Sequence, residues 1–358
     1  MADKCQFLKT YSTGNGSVLY CELAAFNQPV NPDFLKKIGC TAEMRKECPG
    51  GVELNINSSA PSPAPAPNPP VTPVVSCSPP PELAKTMVGV AEKKANTGMP
   101  SLAWLAILAG AYIALGAIMF TIITNDLAAF IGDGLTRLVG GISFSIGLIL
   151  VILAGAELFT GNNLIFTGYL EKKVTGKQVL TNWFWVYLFN FVGSLLVVFL
   201  FYYSGIWKAN GGAIGARAVN IAASKASLPW AEALFRGIFC NWLVCLAVWL
   251  SNAGRDVIGK ILAIMIPIAA FVAAGFEHSI ANMYFIPMGL ALKNQAALQE
   301  LLNPAVIEGL TMKGFFLNNL IPVTIGNLIG GVIFVATVYW GAYLKPAAAK
   351  SVSVKGRA

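Results

Sequence analysis

Charge is what this 358-residue sequence has least of. Asp, Glu, Lys and Arg make up 12% of it, against 56% hydrophobic residues and a mean hydropathy of +0.64. A charged complement that small excludes an ordinary soluble enzyme of this length and points to a chain solvated largely by lipid. Histidine occurs once, at His278, which excludes any site built on several imidazoles. The seven cysteines contain no CxxC pair, and five of them (Cys5, Cys21, Cys40, Cys48 and Cys77) fall in the first hundred residues. An odd count without metal-ligand spacing argues against a metal cluster. HExxH and GxSxG are also missing, so neither an enzyme nor a cofactor is expected. The N-terminus has no continuous apolar core of the kind a signal peptide needs, and Asp3, Glu22, Asp33, Glu43 and Glu47 disagree with an acid-poor transit peptide. The net charge of +8 comes from basic residues scattered between apolar runs, a pattern that sets membrane orientation and does not suit nucleic acid.

What is present divides the chain. Residues 1–60 read as an N-terminal extension, and 61–100 as a linker that starts in the tract "SSAPSPAPAPNPPVTP" and ends in an amphipathic lead-in. Residues 101–345 read as a six-span membrane domain and 346–358 as a tail. Apolar runs long enough to cross a bilayer lie near 102–124, 138–158, 180–203, 233–251, 260–290 and 315–343. Six spans put both termini on one side. Lys85, Lys93, Lys94, Lys172, Lys173, Lys177, Arg255, Lys260 and the tail's Lys345, Lys350, Lys355 and Arg357 flank that side, against Arg137, Lys208, Arg217, Lys225, Arg236, Lys293 and Lys313 on the other. The excess places the termini in the cytoplasm.

Two stretches repeat. "AGAELFTGNNL" from Ala154 and "AGFEHSIANM" from Ala274 share Ala-Gly-x-Glu with an Asn five places after the Glu, giving Glu157 with Asn162 and Glu277 with Asn282. "NFVGSLLVVFLFYY" from Asn190 and "NLIGGVIFVATVYW" from Asn327 match likewise. Three spans are therefore repeated once. An odd number per repeat inverts the second copy, the architecture of transporters whose function lies at the repeat interface near mid-membrane.

Carboxylates at that depth need partners, and irregular backbone is tolerated only where protein or a cavity receives it. Both motifs are expected to break their helices. Glu157 and Glu277 are expected to accept hydrogen bonds from amides freed at the break, with Asn162 and Asn282 satisfying other backbone groups. His278, beside the second break, is the side chain best suited to change protonation near neutral pH.

The stretches "AGAELFTGNNL", "NWLVCLAVWLS", "FVAAGFEHSIANMYFIPMG" and "NNLIPVTIGNLIGG" resemble the formate/nitrite transporter family over roughly 100–345. The resemblance implies an all-α, aquaporin-like protomer with two broken helices and its own pore, a homopentamer, and small monovalent weak-acid anions (formate, nitrite, hydrosulfide, lactate, bicarbonate) as substrates. It puts His278, Thr160, Asn327 and Asn241 at the pore centre. Phe144, Val244 and Phe271 form an outer constriction, Leu148, Leu158 and Phe159 an inner one, and Lys225 stands in a vestibule. The "GNN" after Thr160 and the long connection "ALKNQAALQELLNPAVIEGLTMK" depart from the family pattern and bear on substrate choice and gating. The proline-rich extension looks more like a eukaryotic, green-algal nitrite or bicarbonate member, with the plasma membrane preferred to the plastid envelope. An aquaporin-like neutral-solute channel is the alternative, but "NPA" occurs only once, at 303–305, in a polar connection. An ammonium channel would line its pore with two histidines.

Overall fold

The computed structural model describes residues 8–13, 16–21 and 77–345. The chain divides into two compact units, Met1–Thr72 and Pro73–Ala358. In the first, strands β1 (Leu8–Thr13) and β2 (Gly16–Cys21) pair antiparallel with Leu8 opposite Cys21. Thr, Tyr and Val in "LKTYST" and "GSVLYC" favour extended backbone, a signal obscured by the proline-rich stretch that follows. Cys5, Cys40 and Cys48 lie outside the described residues.

The second unit is helical. An amphipathic helix, α1 (Pro80–Ala95), buries Leu83, Ala84, Met87 and Ala91. Then come α2 (Met99–Ile123), α3 (Ala128–Leu153), a short helical stretch α4 (159–170) and α5 (Gly176–Ser204). The same order recurs as amphipathic α6 (Ala213–Ala226), α7 (Trp230–Ala253), α8 (Val257–Ala274), short α9 (Ser279–Leu292) and α10 (Gly314–Tyr343). Among the described residues, six helices are long and apolar enough to cross a bilayer: α2, α3, α5, α7, α8 and α10. Local signals fix several ends. Thr175 and Gln178 form a capping box at the start of α5, the Asp256 carboxylate accepts the Gly259 N–H at 2.7 Å at the start of α8, and Gly205 closes α5 in the left-handed region.

Two limits differ from expectation. The second span starts at Ala128 and not near 138, because "AAFIGDGLTRL" forms two helical pieces joined by a kink at Gly132 (φ 76°), the second of which continues past Asp133 and Arg137. The fifth ends at Ala274, and residues up to 292 form the separate helix α9. The repeat also includes more than the spans, since α1 and α4 have counterparts in α6 and α9.

Packing follows the repeat: α2 lies against α5 as α7 lies against α10, and α3 meets α8. Backbones approach closely at Gly193 and Gly330, where a Cβ would collide with the carbonyl oxygens of Ile107 and Ile238. Small residues permit this where helices associate by packing in lipid.

Candidate functional site

Each break starts at a glycine in the left-handed region, Gly155 with φ 81° and Gly275 with φ 76°, conformations that any Cβ would strain. The chain then runs extended for a few residues before a new helix starts. The freed backbone groups have a bracket of the same design in both halves. The Glu157 N–H donates to the Leu105 carbonyl (3.1 Å), and the Phe159 N–H donates to Asn190 Oδ1 (2.9 Å). Asn190 Nδ2 in turn donates to the carbonyls of Ala106 (2.8 Å) and Glu157 (2.9 Å). In the second half the Glu277 N–H donates to the Arg236 carbonyl (3.2 Å) and the Ser279 N–H to Asn327 Oδ1 (2.9 Å). Asn327 Nδ2 donates to the carbonyls of Gly237 (2.8 Å) and Glu277 (3.0 Å). One buried asparagine thus ties each break to its neighbouring spans, Asn190 joining the first to α2 and α5 and Asn327 joining the second to α7 and α10.

The carboxylates work differently from the expectation drawn from the sequence. Neither accepts a freed amide, because a lysine is within reach of each and an ion pair matches the charge better than a neutral donor. Lys94 Nζ donates to Glu157 Oε1 at 2.8 Å and Lys225 Nζ to Glu277 Oε1 at 2.8 Å. The second carboxylate oxygens accept from Asn162 Nδ2 and Asn282 Nδ2, both at 2.7 Å. Those asparagines likewise bond side chains and not freed backbone: Asn162 Nδ2 also reaches Asn182 Oδ1 (2.9 Å) and Asn282 Nδ2 reaches Asn319 Oδ1 (2.7 Å). Asn182 and Asn319 close each network onto the carbonyls of Lys94 (3.3 Å) and Lys225 (2.9 Å).

Sequence reading did not single out Lys94, Asn182 or Asn319. Asn190 was visible in the repeat as the partner of Asn327, but Lys94 stands on α1, which the alignment of spans leaves out. The signal that finds it is the repeat extended one helix backwards, for Lys94 is to Glu157 what Lys225 is to Glu277.

The two halves meet at His278 and Thr160, with Nε2 and Oγ1 3.0 Å apart in a buried setting. His278 also caps α9, its Nδ1 accepting the Ala281 N–H at 3.0 Å. An amide N–H only donates, so Nδ1 carries no proton, and the ring is the neutral tautomer with its hydrogen on Nε2, directed at the Thr160 oxygen. The Thr160 hydroxyl hydrogen is then available to another acceptor. Behind Thr160, Asn241 Nδ2 donates to the carbonyls of Asn327 (2.7 Å) and Thr160 (3.3 Å) and to Asn163 Oδ1 (2.7 Å), and the Cys245 thiol donates to the Thr160 carbonyl at 3.3 Å.

Cavities open on either side of this pair. One, of about 310 Å³, is lined by Phe144, Phe271, Lys225, Glu277 and His278. The other, of about 470 Å³, is lined by Leu148, Leu158, Lys94, Glu157 and Asn162. They face opposite ends of the spans. The first touches Phe120 near the end of α2 and Arg236 near the start of α7, and the second touches Thr97 just before α2 and Asn252 at the end of α7. The rings of Phe144 and Phe271 meet edge to face at 5.8 Å, and Phe271 lies over the His278 imidazole at 6.1 Å. Val244 is buried one turn along α7 from Asn241. Phe159 is buried with its ring against Tyr187 at 4.8 Å. The NPA sequence belongs to neither break: the Asn303 side chain accepts the Ala305 N–H and caps a separate short helix.

Comparison with known proteins decides the family. A formate/nitrite transporter family model matches residues 81–341, a range that includes α1. A probable formate transporter from Methanothermobacter thermautotrophicus is 44% identical over 281 residues, covering 74% of this chain and 97% of that protein. The formate channel FocA of Escherichia coli K12 is 42% identical over 246 residues, 68% of this chain and 86% of FocA. Among solved structures, a pentameric formate channel with formate bound superposes with a TM-score of 0.62 at 37% identity, covering 72% of this chain and 99% of that one. The chain belongs to the formate/nitrite transporter family. It is an integral, multi-pass membrane protein with the fold that the resemblance implied. Like its formate-channel relatives, a member of this family is a transport protein and not an enzyme.

Proposed function

We propose that this formate/nitrite transporter family member conducts small monovalent anions of weak acids across the membrane, formate foremost and nitrite and bicarbonate besides, with passage linked to protons through His278. One observation carries the reading: two cavities with lysines in them, on opposite faces, end on apolar side chains and are separated by a single histidine–threonine pair. An anion stripped of water between Phe144, Val244 and Phe271 on one side and Leu148, Leu158 and Phe159 on the other faces a cost that reaches tens of kcal/mol in the idealised limit. Its conjugate acid crosses far more readily. Lys225 and Lys94 are each paired with a glutamate at 2.8 Å, so they offer an approaching anion their remaining N–H donors and not a net positive charge. At the centre, the Thr160 hydroxyl and the Nε2–H of His278 are donors suited to a carboxylate or nitrite oxygen. Asn327 and Asn241 hold the surrounding backbone.

The formate-transporting relatives favour formate, and the pentameric neighbour favours a homopentamer in which each protomer keeps its own pore. The lysine and arginine excess beside α1, the loop between α4 and α5, and Arg255 favours cytoplasmic termini, with the plasma membrane as the site of action. Uptake of labelled formate, nitrite and bicarbonate into proteoliposomes at several external pH values tests the reading. Formate uptake well above that of empty vesicles and rising as the medium is acidified is expected. Flux indistinguishable from empty vesicles for all three ions overturns it. Native mass spectrometry in mild detergent tests the pentamer, and a stable monomer or tetramer defeats it.

A further inference from the structure

The two vestibules are alike in their lysine–glutamate networks and unlike in what surrounds them. On the His278 side the cavity wall also contains Arg137, Arg217 and Arg236. Lys225 is neutralised by Glu277, and Arg236 donates to Glu232 at 2.8 Å. Arg217 donates from Nε to Thr124 Oγ1 at 3.3 Å, which leaves its terminal nitrogens without a protein acceptor among the described residues. Arg137 has no side-chain acceptor among the described residues, and both it and Asn220 are exposed, so the cavity reaches the protomer surface at this end. Burial lowers the Arg217 guanidinium from its ordinary pKa, with Asp133 raising it and Arg137 lowering it, which puts Asp133 and Arg137 each within electrostatic range of Arg217. The opposite cavity contains Lys93 and Lys94 with Glu157, and no arginine.

From this asymmetry we infer that the His278-side vestibule is a binding site for a divalent oxyanion, held by the free guanidinium faces of Arg137 and Arg217, which occupies the mouth and does not pass. Guanidinium is the group whose planar donors match two oxygens of a sulfate or carboxylate, and contacts between opposite charges are the strong class of hydrogen bond. The cavity of about 310 Å³ admits such an ion together with water. Beyond it stand Phe144 and Phe271, and the cost of desolvating an ion grows with the square of its charge, so a dianion stops where a protonatable monoanion proceeds. The site therefore acts as a one-sided brake on the transport proposed above and rests on that reading for its physiological effect, though not for the binding itself.

Sulfate is the probe, used at constant ionic strength so that general screening is held fixed. In proteoliposomes of known orientation, sulfate on the His278 face is expected to raise the apparent KM for formate and leave the maximal flux unchanged. Sulfate on the opposite face is expected to do neither. Binding of labelled sulfate to the purified protein in detergent gives a readout independent of transport. The R137Q/R217Q double variant, compared with wild type and with each single variant, is expected to weaken that binding on the order of tenfold or more. Equal inhibition from both faces, or sulfate binding unchanged in a folded double variant, overturns the inference. Arginine-dependent binding in a protein that moves no formate upholds the site and refutes the transport reading instead.

Discussion

Asn190→Ala and Asn327→Ala are expected to destabilise the protein strongly and by nearly equal amounts, although the residues lie in different halves of the chain. Each side chain is fully buried and satisfies three backbone groups: one N–H at 2.9 Å and two carbonyls at 2.8 and 2.9 Å for Asn190, and one N–H at 2.9 Å and two carbonyls at 2.8 and 3.0 Å for Asn327. Alanine removes all three partners at a depth where water does not readily replace them. A buried donor or acceptor without a partner costs about 1–3 kcal/mol, and the void left by the amide adds to that. Allowing for partial relaxation, each variant is expected to lose about 3–6 kcal/mol, with the pair agreeing to within about 1 kcal/mol. Reversible unfolding in mixed detergent micelles measures the difference, and size-exclusion chromatography shows whether the assembly survives. A loss below about 1 kcal/mol at either site means that the break is held by something other than the asparagine bracket. A large loss at one site with none at the other refutes the equivalence of the two halves.

Two further outcomes follow from the same networks. Lys225→Ala leaves the Glu277 carboxylate buried beside two asparagines without its cation, a loss expected to cost about 3–5 kcal/mol by analogy with other broken buried pairs. The K225A/E277Q double variant is expected to recover much of that stability while the apparent affinity for anion at low salt stays reduced. If the double variant is no more stable than the single one, or if anion concentration dependence is unchanged, the ion pair has neither role. Gly155→Ala and Gly275→Ala force a Cβ into left-handed backbone at φ 81° and 76°, a strain of about 1–2 kcal/mol each. Thermal midpoints equal to wild type for both mean that the breaks relax freely.

The spans, the inverted repeat and the positions of the two breaks were legible because each rests on a local pattern. About twenty apolar residues are required to cross a bilayer, and a carboxylate at mid-depth is rare enough to be noticed. Partners were less legible. Glu157 was visible as an anomaly, but its lysine is 63 residues earlier on an amphipathic helix that composition groups with the linker. Asn182 and Asn319 sit in spans where an isolated asparagine carries no mark of what it bonds. The site's proton chemistry was least legible of all, since the tautomer of His278 depends on a backbone amide three residues ahead that only becomes a helix N-terminus once the chain has broken.

That amide gives His278 two separable duties. Nδ1 caps α9 through the Ala281 N–H, and Nε2 faces Thr160. A second proton can enter the ring only at Nδ1, where it confronts the amide hydrogen, so charging the imidazole and keeping the cap exclude each other. Asn and Gln divide the duties. In His278→Asn the side-chain oxygen stands near the place of Nδ1 and is among the best N-caps, but the shorter amide no longer reaches Thr160 and cannot titrate. His278→Gln extends toward Thr160 and gives up the cap, a loss of about 0.5–2 kcal/mol. Near-native stability is therefore expected for the Asn variant and a lowered thermal midpoint for the Gln variant. Both are expected to lose the proton dependence of transport, read as paired flux and current across about pH 5–8, the interval in which an ordinary histidine changes charge. If the Asn variant's pH profile and ion selectivity superimpose on the wild type, the imidazole is a cap and nothing more, and the proton link runs through water in the vestibules.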